Sequence, residues 1–279
     1  MERASRVQQA GIYFGKCRRA FVNEKGWKNL ISTLIISILI IAVVPESMLY
    51  SYGATRNGCF AMICACIWIG VFNSIQSICR ERDILKREHR SGLHMSAYIA
   101  AHMLYEMLLS FAEALIVTAV FTIGTDALYT SDYQGIMSAI PPTVTGMPAV
   151  IELMITFFLL IYSSDALGIM ISSIVKTPNS AMTVMPFVLI IELVMCGYIF
   201  ELEGATDLIS NLTVSKWAMY AMCTVVDVNS MDDYIPQFAA NYTHSAGHLL
   251  SMWMILIGFT LLYGVLATVS LEFIDRDKR

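Results

Sequence analysis

Four acidic side chains fall well inside apolar runs of this chain: Glu106, Glu113, Asp165 and Glu192. A carboxylate in hydrocarbon costs about 2.5–3.5 kcal/mol on insertion scales, so each must find a partner, a cavity or water. Asp165 has Ser163 and Ser164 beside it. That setting suits hydrogen bonds between helices, with proton transfer as the alternative. Glu192 sits near the middle of its run, with Pro186 earlier as a point where the helix can kink. A cavity, or a pair inside the bundle, is expected there. Glu152 is close enough to the end of its run to reach water. An intramembrane aspartyl protease would need two facing aspartates in apolar runs, and only Asp165 qualifies. His244 and His248 have ligand spacing on a helix, but no cysteine or third histidine joins them and Gly247 intervenes. No metal site is expected. Cys64 and Cys66 point to different faces of one helix and read as packing. Gly11 to Cys17 superficially resembles a phosphate-binding loop. It is one residue short, lacks the closing Ser or Thr and follows no strand. With no Walker A motif and no signature motif, ATP hydrolysis is not chemistry these residues perform.

The densest charge lies elsewhere. Arg80, Arg82, Lys86, Arg87 and Arg90 alternate with Glu81, Asp83 and Glu88 between two apolar runs. Such a segment stays in water, and its basic excess places it on the cytoplasmic side. Asp83 stands three and four residues before Lys86 and Arg87, which supports a helix.

The elements that position these groups are apolar helices. The 279 residues are 57% hydrophobic and 14% charged, with mean hydropathy +0.63; a soluble domain carries about 25% charged residues. An all-α membrane protein of one domain, 1–279, is expected. Spans are expected near Lys28–Val44, Asn57–Ile75, Ala97–Gly124, Pro148–Val175, Ala181–Phe200 and His248–Ile274, each about the 20 residues a bilayer core requires. The first run starts too late and is too long for a cleavable signal peptide. Before it, Val7, Ala10, Phe14, Cys17 and Phe21 share one face of an amphipathic helix over Arg6–Phe21, expected to lie along the membrane surface. With both termini inside, 16 of the 18 Lys and Arg residues are cytoplasmic and only Arg56 and Lys216 are outside. Two long outer segments follow, Asp126–Met147 and Glu201–Gly247. Asn211 and Asn241 begin glycosylation sequons on that side. Of the seven cysteines only Cys223 is clearly external, so no disulfide framework is expected. No basic tract points to nucleic acid.

The order of these residues resembles type-2 ABC permeases, most closely the transmembrane domain of the G subfamily, the white and pleiotropic-drug-resistance type. The resemblance rests on Glu81-Arg82, Arg87-Glu88, Gly92, Ser96-Ala97-Tyr98 and Glu106, between the second and third spans. Met107-Leu108 stands where the family has Leu-Pro, a departure, and the family's connection is usually shorter than Asp126–Met147. Met195-Cys196-Gly197-Tyr198 matches an aromatic-glycine pair of the fifth span, and Val214-Ser215-Lys216-Trp217 the segment before an outer reentry.

The resemblance implies a permease subunit of an ATP-driven exporter in the plasma membrane, working as two copies. Its ATP and Mg would sit on a separate ABC ATPase, with no cofactor in this chain. Its cytoplasmic loop would be a coupling helix, with Glu81, Arg82, Arg87 and Glu88 carrying coupling. Glu106 would form a structural salt bridge with a basic residue of the N-terminal or coupling helix. The route would run between two copies along the second and fifth spans, near Phe72, Asn73, Met185, Phe187, Ile191, Glu192 and Met195. The alternative is a six-span sensor or scaffold without transport.

Overall fold

The computed structural model describes residues 5–44, 48–49, 51–128, 143–200, 202–231 and 240–274, with backbone alone at 125–128. Most of the outer segment between the third and fourth expected spans, including Pro141-Pro142, lies outside the described residues. So do Glu201, Asp232, Asp233, Arg3 and the C-terminal basic residues. The described residues form helices and no strands. In order these are α1 (Arg6–Asn23), α2 (Trp27–Val43), α3 (Tyr52–Ser74), a 3₁₀ turn (Cys79–Glu81), α4 (Arg82–Arg90), α5 (Met95–Leu128), α6 (Ala149–Ile174), α7 (Pro178–Val194), α8 (Ala205–Ser210), α9 (Val214–Val225) and α10 (Ala246–Glu272). Two further 3₁₀ turns, Val228–Ser230 and Ala240–Tyr242, lie between α9 and α10.

Local chemistry sets several helix ends. Ser5 and Gln8 form a reciprocal capping box at the start of α1. Thr177 accepts from the Ser180 amide and Pro178 occupies the first position of α7. Beyond α7, Gly197 takes φ +75°, a backbone that turns the chain outward and that side chains resist. The fifth run therefore ends as a helix at Val194 rather than near Phe200, while the third continues past Gly124 to Leu128.

Every expected apolar run contains a helix. By length and composition four segments can cross a bilayer, Tyr52–Arg90, Met95–Gly124, Ala149–Ile174 and Ala246–Glu272. α1 and α2 together pass as a fifth, bent by 67°. α7 is apolar but has 17 residues, a length of about 25 Å at the helical rise.

α3 and α6 make the centre. Their crossing is close because Gly70 and Gly168 carry no side chain. A Cβ on Gly70 would stand 2.6 Å from the Ile161 carbonyl, and one on Gly168 would collide with Ser74 Oγ. Small residues let helix backbones approach when lipid gives no hydrophobic drive between them. α5 and α10 pack on α6, and α2 packs on α5. Trp253 of α10 donates from Nε1 to Thr156 Oγ1 of α6 at 3.0 Å.

α1 does not rest on its apolar stripe alone. Ala10, Phe14, Cys17 and Phe21 are at least partly buried, as the spacing predicts, but Val7 is exposed and the helix packs against α5. Phe21 meets Tyr105 edge-on at 6.4 Å, and Tyr13 meets Tyr98 at 5.3 Å.

Candidate functional site

The charged segment folds as a 3₁₀ turn leading into α4, and it is anchored from two sides. On one side it is fixed to the end of α6. The Ile78 and Cys79 amides donate to Ser172 Oγ at 3.0 and 3.1 Å. Arg82 is only 7% exposed, and its Nη1 donates to the Ser173 and Val175 carbonyls at 2.7 and 3.1 Å. Those carbonyls close α6, so the guanidinium sits at the negative end of a helix dipole. On the other side the segment is fixed to α1. Lys16 Nζ pairs with Glu81 Oε2 at 2.7 Å, Tyr13 donates to Glu88 Oε2 at 2.5 Å, and Arg80 reaches Glu24 at 3.3 Å. Gln9 accepts from the His94 amide at 2.9 Å.

Of the four residues expected to carry coupling, three therefore work inside the protomer. Glu81 and Glu88 hold α1, and Arg82 is turned inward to α6. Arg87 is exposed. With Asp83, Ile84 and Arg90 it makes the outward face of α4, three charges around one apolar side chain.

Among the described residues Glu106 makes none of the salt bridges expected of it. Its Oε2 has no hydrogen-bond partner, and the nearby bases pair with Glu81 and Glu24 instead. Glu106 is 2% exposed and, at a spacing of two helical turns, shares its face of α5 with Glu113, while Asp165 approaches Ser110 between them from α6. Glu113 accepts from Asn73 Nδ2 at 2.7 Å and from Thr33 Oγ1 at 3.2 Å. Asp165 accepts from Ser110 Oγ at 2.5 Å. These bonds join α2, α3, α5 and α6 in a polar seam, the interhelical role expected for Asp165. Glu152 does not reach water as expected. It is fully buried and accepts from the Thr145 amide at 2.7 Å and the Thr145 hydroxyl at 2.6 Å.

Glu192 does not face open space either. It is 4% exposed within one protomer, and a second copy can only bury it further. Its Oε2 accepts from the Ser215 amide at 3.0 Å, and Ser215 Oγ donates to the Glu192 carbonyl at 2.5 Å. Ser215 lies in the first turn of α9, whose N-cap Thr213 turns its hydroxyl away from the helix to donate to the Ser210 carbonyl at 2.7 Å and so leaves the α9 amides uncapped. The carboxylate of α7 thus caps α9 from a distance, at the positive end of its dipole. α9 itself is almost wholly buried against α3, α6 and α10.

The expected route residues divide. Phe187 and Ile191 lie with Ile190 on the exposed face of α7, and Phe72 is exposed on α3. Met185 and Glu192 face the protomer interior, and Met195 is half-buried. Phe72 and Asn73 also line a cavity of about 530 Å³ between α1, α2, α3, α5 and Met182 of α7.

Two features had no sequence signal. Lys216 is buried, pairing with Asp207 at 2.6 Å and donating to Ser210 and Asn211, both at 2.9 Å. This also engages the side chain of the first sequon. Arg56 stands over the rings of Tyr52, Tyr198 and Tyr242 at 5.4, 5.2 and 5.7 Å. Only Tyr52, four residues away, was visible as a neighbour. His244 and His248 bond separate carbonyls, Thr224 and Asn241. The described residues hold no cluster of three ligand-type side chains fit for a metal.

Sequence comparison agrees with this architecture. The chain is similar to the ABC transporter ATP-binding/permease protein Rv1747 of Mycobacterium tuberculosis (strain ATCC 25618 / H37Rv), at 23% identity over 203 residues. That alignment covers 69% of this chain but 22% of the relative, so the chain spans about a fifth of that protein's length. The family model of the ABC-2 type transporter matches residues 17–226, from the middle of α1 through α9. The chain belongs to the ABC-2 type transporter family.

Proposed function

We propose that this chain is the membrane-spanning permease subunit of an ATP-driven exporter, of the G-subfamily kind, moving an amphipathic or lipophilic substrate out of the cytoplasm. In this reading α2, α3, α5, α6, α7 and α10 are six crossings in the plasma membrane, with both termini and α4 inside. A separate ATPase carries ATP and Mg, and a second permease copy, identical or related, completes the route. Basic asymmetry supports the orientation.

The observation that carries the reading is the two-sided anchoring of α4. Its outward face, Asp83, Ile84, Arg87 and Arg90, mixes charge with one apolar anchor, the composition of a specific docking surface. Its inward face is bonded to the end of α6 and to α1. A push on α4 would reach α6 through Arg82 and Ser172, and α1 through Glu81 and Glu88. α1 meets α2 at a 67° bend, so its displacement would tilt α2 against the bundle, a rigid-body device for switching access.

The test is purification of the tagged chain from its own membranes in mild detergent. An ATP-hydrolysing subunit should copurify in equal amount. Its absence would count against the permease reading and favour the scaffold. Cysteine labelling checks the orientation: a cysteine at Ser230 should react from outside and one at Ser91 should not, both being exposed positions.

A further inference from the structure

The cavity of about 530 Å³ beside α1 has walls that the coupling device does not use. It lies between the last turn of α3, with Phe72, Asn73 and Gln76, and the first turn of α2, with Lys28 and Asn29. Both turns are helix ends on the α4 side of the molecule, so on the topology proposed above the cavity stands at the level of the membrane–water boundary rather than of the bilayer middle.

Its charges fall into three groups. Lys16 and Arg80 are paired with Glu81 and Glu24. Lys25 and Lys28 are exposed at the rim, and no side-chain ion pair holds them among the described residues. They flank the start of α2, where the Lys28 and Asn29 amides already donate to the Lys25 and Gly26 carbonyls, so the two ammonium groups themselves carry the positive character of the rim. Glu106 is the third group. It is nine-tenths buried, lines the cavity and makes no ion pair among the described residues. Between the two ends stand Phe21, Phe72 and Met182. A positive rim, a carboxylate deeper in and apolar walls match a zwitterion with a hydrophobic body.

We propose that this cavity binds a phosphate ester bearing a primary ammonium, supplied as the headgroup of an aminophospholipid of the adjacent leaflet. The phosphate sits between Lys25 and Lys28, and the ammonium donates to Glu106. Naming the inner leaflet rests on the orientation proposed above; the binding itself does not depend on transport.

Native mass spectrometry of the delipidated full chain in detergent tests this with defined lipids. Phosphatidylethanolamine should bind about tenfold more tightly than phosphatidylcholine, whose quaternary ammonium cannot donate, as loss of one charge-assisted hydrogen bond implies. Glu106→Gln should abolish that preference. Lys25→Glu with Lys28→Glu should weaken both lipids together. These two sit at the exposed rim, so this variant keeps the test open if Glu106→Gln fails to fold. Equal binding of the two lipids by the unaltered chain, or unchanged binding after the rim reversal, overturns the proposal. Soluble phosphoethanolamine should not displace the lipid at equal concentration. If it does, the ester is recognised without its chains and the lipid assignment is wrong. A failed lipid test would leave ATPase copurification untouched, so the two readings fail separately.

Discussion

The two ends of the molecule handle charge in opposite ways. At the α4 end, contacts between elements run through half-exposed groups: Lys16 to Glu81, Arg80 to Glu24, Tyr13 to Glu88. At the α9 end they run through two buried groups, Glu192 bonded to Ser215, and Lys216 bonded to Ser210, to half-buried Asn211 and to the exposed carboxylate of Asp207. Exposed pairs are individually weak, about 0.2–1 kcal/mol, and are screened by salt. A buried carboxylate or ammonium is held much harder, because breaking its bonds leaves a charge stranded. On the proposed function, this difference suits one end to shift and the other to stay closed until the whole bundle moves. Arg82 and Ser172 are the exceptions, buried anchors at the α4 end, and on the proposed function they make α6 the element that α4 carries with it.

The comparison breaks most visibly at Glu192. Glu192→Ala strands the buried Ser215 amide and the start of α9 and should cost about 3 kcal/mol of stability. Glu192→Gln keeps an acceptor and should cost less. The readout is a melting curve in detergent beside transport of matched cationic and neutral substrates. A Glu192→Gln variant of full stability that changes only cationic transport would restore Glu192 to the route. Arg82→Met comes next. It uncovers the Ser173 and Val175 carbonyls and should cost about 1.5–2 kcal/mol, while loosening α4 from α6. Faster amide exchange confined to α4 and the end of α6 would confirm the anchor, and unchanged exchange would remove it. Smallest is the Lys16–Glu81 pair. Lys16→Glu should lower stability by at most about 1 kcal/mol, and adding Glu81→Lys should recover it. Raising salt should shrink the effect at Lys16 and leave the effect at Glu192 unchanged.

Much of the frame was legible in the sequence because it rests on local signals. Six apolar runs, the stripe through Ala10, Phe14, Cys17 and Phe21, and the charged helix each declare themselves within a few residues. The partners of isolated charges were not legible. Glu106 looked like a salt bridge because the family resemblance implied a basic partner on the N-terminal or coupling helix, yet Lys16 and Arg80 find Glu81 and Glu24 across the α1 contact. Glu192 and Glu152 looked like groups needing cavity or water, since a single sequence cannot say that the uncapped amides of α9, or those of Val144 and Thr145, will arrive beside them. Lys216 was read as an external charge because positive-inside counting gives a side of the membrane and says nothing of burial. The family resemblance matched Val214-Ser215-Lys216-Trp217 to the segment before an outer reentry, and these residues form the first turn of α9. The resemblance placed Glu192 on the route, whereas its contact with that helix turns it inward.

The central claim is that the outward face of α4 receives the ATPase while its inward face moves α6 and α1. The most direct measurement is ATPase activity of the copurified complex in lipid discs, with and without the permease variants Arg87→Glu and Ile84→Asp. Both side chains point away from the protomer, so the variants should melt as the unaltered chain does. The account predicts that permease-dependent stimulation of hydrolysis is lost in each, with the basal rate of the free ATPase unchanged. Stimulation that survives both substitutions would contradict it and reduce α4 to a connector that only sets topology.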